Sequence, residues 1–97
     1  MVLIRKTNLF MKWLTGLRDQ KAIARIQIRI DRLALGNPGD VRPVGSGISE
    51  MRIDYGPGYR VYFSQRGSEI VILLCGGDKT TQKSDIENAK RVNEGVQ

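Results

Sequence analysis

Apolar positions recur first at helical spacing and then at strand spacing, with the change of period near residue 40. Val2 to Ile4 is short, apolar and β-leaning, which predicts a first strand. Thr7 or Asn8 then offers an N-cap, and Leu9, Phe10, Trp13, Leu14 and Leu17 follow at helical spacing. Gly16 and Arg18-Asp19 predict an end near Leu17. A second helix is expected from Asp19, as N-cap, to Leu35, where Gly36-Asn37-Pro38-Gly39 stops it. Its core stripe is Ala22, Ile23, Ile26, Ile30 and Leu33. The short turn between the two makes a helical hairpin.

Beyond Asp40 the period is two. Val41 to Val44 suggests a short strand. Ile48 to Tyr55 alternates Met51, Ile53 and Tyr55 with Glu50, Arg52 and Asp54. Gly56-Pro57-Gly58 signals a turn, and Tyr59 to Gln65 alternates again, with Arg60, Tyr62 and Ser64 on one side. A second turn follows around Gly67. Ile70 to Cys75 is apolar on both faces, as an interior strand covered by a helix requires. Thr80 or Thr81 would cap a last helix burying Ile86, Ala89 and Val92, and the tail Glu94 to Gln97 is expected to fray. The fold class is therefore α+β: an N-terminal strand and helical hairpin packed on a twisted antiparallel sheet, with a C-terminal helix, in one domain over 1–97. With the helices on one face, the other face of the sheet would expose Glu50, Arg52, Arg60 and Tyr62 as a basic concavity.

Composition narrows the chemistry. With no histidine and one cysteine in 97 residues, ordinary zinc sites, Ser-His-Asp triads and Cys-His dyads are excluded, and so is an internal disulfide. No metal or cofactor is expected: Gly76-Gly77 is too short for a P-loop or a dinucleotide fingerprint. Cys75 reads as a small buried hydrophobe and Trp13 as core. The opening apolar run of four residues falls short of the roughly 7–15 of a signal core, and the six of Ile70 to Cys75 fall short of the about 20 of a membrane span. A cytoplasmic protein without membrane contact is expected.

Sixteen Lys and Arg against ten Asp and Glu leave a net +6, which favours an acidic partner, nucleic acid first. The excess falls in two places. Arg18, Lys21, Arg25, Arg29 and Arg32, spaced 3, 4, 4 and 3, form a helical stripe beside a thin apolar strip of Ala24, Ile28 and Leu35. The stripe is either a solvated face or a contact for phosphates, through Arg25, Arg29 and Arg32, or for an acidic protein. The strip is either a groove for a protein partner or a continuation of the core. The second place is the sheet face. Arg52 and Arg60 lie on facing strands, Lys79 follows the last strand, and Lys83 stands one helical turn later. Such a set can bind a phosphodiester and neutralise the charge that develops during cleavage. The plain alternative is an ion pair of Arg60 with Glu50 or Asp54. Tyr62 would stack a base or simply cover the sheet.

Five segments then carry a family resemblance in order: Phe10-x-x-Trp13-Leu14-x-x-Leu17-x-Asp19, Gly36-Asn37-Pro38-Gly39-Asp40, Glu50-Met51-Arg52-Ile53, Gly56-Pro57-Gly58-Tyr59-Arg60-Val61-Tyr62-Phe63, and Gly76-Gly77-Asp78-Lys79-x-x-Gln82-x-x-Asp85-Ile86-x-x-Ala89. Together they resemble the RelE/ParE toxin superfamily, in its HigB-like addiction-module-killer branch. The resemblance implies a bacterial type II toxin neutralised by a cognate antitoxin, commonly a helix-turn-helix protein that also binds operator DNA. It implies a ribosome-dependent endoribonuclease that cuts mRNA, blocks translation and needs no metal. Arg60 matches the arginine of the family's Gly-Tyr-Arg segment, Arg52 falls near its strand lysine, and Lys79 falls at the basic position after the last strand.

One departure stands out. Where RelE carries a C-terminal tyrosine, and several relatives a histidine, this chain has Asp85-Ile86. Arg60 would hold the phosphate oxygens while Arg52 and Lys79 stabilise charge. The general base would be a lysine crowded by cations, or Glu50 if it faces the cleft. ParE-like relatives share the fold and inhibit DNA gyrase without being enzymes, which makes gyrase inhibition the rival reading. A partner that only holds antitoxin and DNA is the third.

Overall fold

A computed structural model describes residues 1–95. Its elements are β1 (Leu3–Lys6), α1 (Asn8–Gly16), α2 (Gln20–Ala34), β2 (Val41–Gly45), β3 (Ile48–Ile53), β4 (Tyr59–Arg66), β5 (Ile70–Gly77), a 3-10 turn (Lys79–Thr81) and α3 (Gln82–Gly95). The helix starts follow from capping. The Thr7 side chain accepts from the Phe10 N–H, and that of Asp19 accepts from Lys21 and Ala22, so orphan donors of each first turn are satisfied. Asp78, and not Thr80 or Thr81, caps the 3-10 turn, which runs straight on into α3. That helix continues through Glu94 to Gly95; the rest of the expected frayed tail lies outside the described residues. No described helix is long and apolar enough to cross a membrane.

The sheet order is β1-β5-β4-β3-β2. The meander β2 to β5 is antiparallel as expected, whereas β1 joins β5 parallel, Leu3 opposite Ile70 and Lys6 opposite Leu73. A strand followed by a helical hairpin returns to the same end of the molecule, so its pairing with a later strand is free to run parallel. Thr7 closes this seam by donating its hydroxyl to the Leu74 carbonyl at 2.7 Å.

Each sheet face carries its own core. On one, Phe10 of α1 and Ile26, Ile30 and Leu33 of α2 pack on Met51, Ile53, Val61, Phe63, Val71 and Leu73. On the other, Ala89, Ile86 and Val92 of α3 pack on Ile48, Tyr62, Ile72, Leu74 and Cys75. The expectation of an open second face is therefore corrected: α3 lies across it. β5 is shielded on both sides because it is apolar on both sides, and burying only one would leave a row of Ile and Leu wet. An irregularity opposite Tyr62 and Phe63 adds one residue to β5, which puts both Leu74 and Cys75 on the α3 side. After it, Gly76 faces Trp13 and Gly77 faces Asp85. A Cβ on Gly76 would stand 2.2 Å from the Trp13 ring, and one on Gly77 would stand 1.8 Å from the Asp85 carboxylate. The glycine pair thus lets α1 and α3 close on the end of one strand from opposite sides.

Candidate functional site

Glu50 lies in the middle of β3, 1% exposed, and four side chains converge on its carboxylate. Arg52 Nε donates to Oε1 at 3.1 Å; Arg60 Nη1, Tyr62 OH and Gln82 Nε2 donate to Oε2 at 3.3, 3.0 and 2.9 Å. Strand register explains the first three. Tyr62 is directly opposite Glu50, and Arg52 directly opposite Arg60, so all four point to one face. Gln82 arrives from the first turn of α3. Two arginines side by side would repel each other; the carboxylate between them offsets this and holds both guanidinium groups in place. Burial alone would raise the Glu50 pKa. The hydrogen bonds from Gln82, Arg52 and Tyr62, with the charge of Arg60, outweigh it and hold the carboxyl below its usual range. Burial and the hydrogen bond to Glu50 likewise push the Tyr62 hydroxyl upward.

The Arg60 side chain is 9% exposed, and its Nε has no hydrogen-bond partner among the described residues. A guanidinium N–H buried without an acceptor is costly and calls for one. Arg60 and Arg52 line a hollow of about 260 Å³ together with Gly58, Tyr59, Asp40 and Asp54. Lys79 stands close by: its N–H donates to the Pro57 carbonyl at 3.4 Å, and its Cβ lies against Gly58. The Arg52, Arg60 and Lys79 set therefore gathers around one end of the β3–β4 hairpin. Lys83 is exposed on the first turn of α3.

Three expectations are corrected here. Tyr62 is fully buried under α3 and offers no ring face to a base. Glu50 does not face a cleft; its oxygens are occupied by donors, and its lowered pKa makes it a weak base. Arg29 is not free for phosphate. Its guanidinium donates to the carbonyls of Arg52, Pro38 and Asp40, pinning α2 to the strands. Gly39, at φ +71°, makes room for it: a Cβ there would sit 2.9 Å from Nη2. By contrast, Arg25 and Arg32 remain exposed, and Arg25 lies 4.7 Å over the Tyr55 ring, which is itself held by Asp19. Gln82 is the neighbour of Glu50 that residue patterns alone miss, since a glutamine at a helix start has no charge or period to mark it. Its place in the Gly76-to-Ala89 segment is the available signal.

Two further groups frame the site. Burial raises the Asp85 pKa, with Asp78 adding repulsion, although the Thr81 hydroxyl donates to Asp85. Burial, with Asp85 nearby, pushes the Cys75 thiol up to about 12, so it is no nucleophile.

Residues 12–94, most of the chain and all of this site, match the family described as Phage derived protein Gp49-like (DUF891). The chain belongs to the Gp49-like family. An uncharacterised protein of Haemophilus influenzae is 52% identical over 87 residues, covering 90% of this chain and 88% of the relative. In this Gp49-like chain, both arginines, their carboxylate, Gln82 and Lys79 fall within the matched span.

Proposed function

We propose that this Gp49-like protein is the toxin of a type II toxin–antitoxin pair, a HigB-like member of the RelE/ParE superfamily that cuts mRNA on the ribosome without a metal. Membership of the Gp49-like family is consistent with a toxin of such a pair. One observation carries the chemical part of the reading: the buried Arg60 guanidinium with a free Nε–H, paired across the strands with Arg52 beside an open hollow. That arrangement suits a tetrahedral oxyanion.

In this scheme the ribose 2′-oxygen forms a bond to the adjacent phosphorus, and the bond from phosphorus to the 5′-oxygen breaks. The products are a 2′,3′-cyclic phosphate and a 5′-hydroxyl end. Arg60 and Arg52 hold the non-bridging oxygens as charge builds, and their preorganisation by Glu50 avoids reorganisation during the step. Lys79, at the rim, takes the 2′-hydroxyl proton as the neutral amine and, as the ammonium so formed, passes it through water to the leaving 5′-oxygen. Glu50 positions the arginines and is not the base. Lys83 meets the RNA backbone on the α3 side.

Inducing wild type, Arg60→Ala and Lys79→Ala in a bacterium, with transcript 5′ ends and gyrase-linked DNA breaks mapped together, tests the reading. In-frame 5′-hydroxyl ends should appear with wild type and fall by about 10²–10³-fold in Arg60→Ala, the loss typical of one oxyanion donor. DNA breaks with intact transcripts would instead identify a ParE-like gyrase inhibitor. Undisturbed growth with soluble wild type would identify a protein that only binds its antitoxin and, through it, operator DNA.

A further inference from the structure

A second hollow of about 290 Å³ runs between α2 and the end of β3, lined by Arg25, Ile28, Arg29, Arg32, Ile53 and Asp54. We propose that this groove is a docking site for an acidic amphipathic protein segment, which seats an apolar side chain on Ile28 and sets carboxylates against Arg25 and Arg32. Identifying that partner as an antitoxin rests on the function proposed above; the docking surface itself does not.

The composition of the groove selects the partner. Ile28 is 48% exposed in the middle of the lining, on a helix whose other apolar side chains mostly face the core. Ala24 and Leu35 are exposed along the same strip, so the strip does not continue the core. A phosphate chain would gain nothing from an exposed isoleucine, whereas an aliphatic or aromatic side chain would cover it. The cations are also unevenly available. Arg29 is committed to three backbone carbonyls, leaving Arg25 and Arg32 at the two sides of Ile28. Two exposed cations, Arg25 resting over the Tyr55 ring and Arg32, flank an apolar spot and call for acidic residues flanking an apolar one. The α2 acid, Asp31, is occupied in accepting from Gln27 at 2.9 Å and does not compete.

Position adds a consequence. Ile53 and Asp54 line both this groove and the hollow of Arg52 and Arg60. A segment lying in the groove therefore ends beside the arginine pair, and a last carboxylate there would meet Arg52.

The probe is a phage-displayed library of random 12-residue peptides, panned on the full chain with counter-selection on Ile28→Glu. Recovered peptides should carry Asp or Glu on both sides of an aliphatic or aromatic residue. By fluorescence anisotropy they should weaken at least tenfold on Ile28→Glu and about threefold on Arg32→Ala. Ile28→Ser, with circular dichroism on every variant, guards against misfolding. Failure to recover peptides that distinguish the variants overturns the proposal, as does enrichment without acidic residues. A 12-nucleotide single-stranded RNA whose binding collapses on Ile28→Glu would assign the groove to nucleic acid and also overturn it. Self-association by sedimentation, lost in Ile28→Glu, would assign it to a second copy and overturn it too. None of these readouts uses growth arrest or RNA cleavage, so the docking surface and the proposed activity stand or fall separately.

Discussion

Glu50 concentrates most of the site's electrostatics in one carboxylate. Replacing it with alanine would leave two arginines, a tyrosine hydroxyl and a glutamine amide without their acceptor. Removing one partner from a buried ion pair costs about 3–5 kcal/mol, so Glu50→Ala should lose that much in urea unfolding at pH 7. The pH dependence has a definite sign. The folded-state pKa lies below the ordinary 4.5, so the stabilisation is complete above 4.5 and is lost as pH falls through the folded value. Asp85 works the other way: its folded pKa lies above 3.8, so its protonated form is favoured, and that contribution fades as pH rises through the folded value. The two trends overlap in mild acid. The difference between wild type and Glu50→Gln therefore isolates Glu50, and the urea midpoint of Glu50→Gln should fall less steeply below pH 4.5. Alternation along two strands is enough to bring Glu50, Arg52, Arg60 and Tyr62 to one face. The same alternation says nothing of where a distant helix lands. That landing turns Tyr62 from an exposed ring into a buried donor and Glu50 from a candidate base into a clamp.

Among the elements, the helices are the most legible from sequence because their caps are local. Thr7 and Asp19 accept from N–H groups no more than three residues ahead, and no tertiary information enters. The core stripe of α2 follows from its period, with Ala22, Ile26, Ile30 and Leu33 all buried. Its basic stripe is legible only as a set: which arginine is bound depends on the 38–40 loop folding back over Arg29, a contact set by Gly39. The end of β5 shows the same limit. Gly76-Gly77 is too short to read as a phosphate loop, yet it is a close contact between α1, β5 and α3. Overpacking a filled contact typically costs 1–3 kcal/mol. Gly76→Ala pushes a methyl into the indole of Trp13, and a loss of at least about 2 kcal/mol is expected by denaturant titration, with Trp13 fluorescence shifted to the red. Gly16→Ala, with nothing within 4 Å of the new methyl, serves as the neutral control.

Across the whole molecule, the sheet closes only when its two ends in sequence meet. β1 and β5 are bonded neighbours, with Thr7 reaching Leu74 across 67 residues. β5 touches β1, β4, α1 and α3 and supplies buried residues to both cores. A chain ending at Arg66 keeps α1, α2 and three strands of the meander but loses the strand that joins them. It should show no cooperative urea transition by circular dichroism and no binding at the Arg52–Arg60 hollow. The parallel seam also bears on synthesis. The first strand leaves the ribosome early, and at about 5–20 residues per second it waits several seconds for its partner. Non-local pairing of this kind is slow in its own right. A nascent chain therefore lacks the strand that joins its sheet until the last third has been translated, and a fragment released before then could not complete the fold.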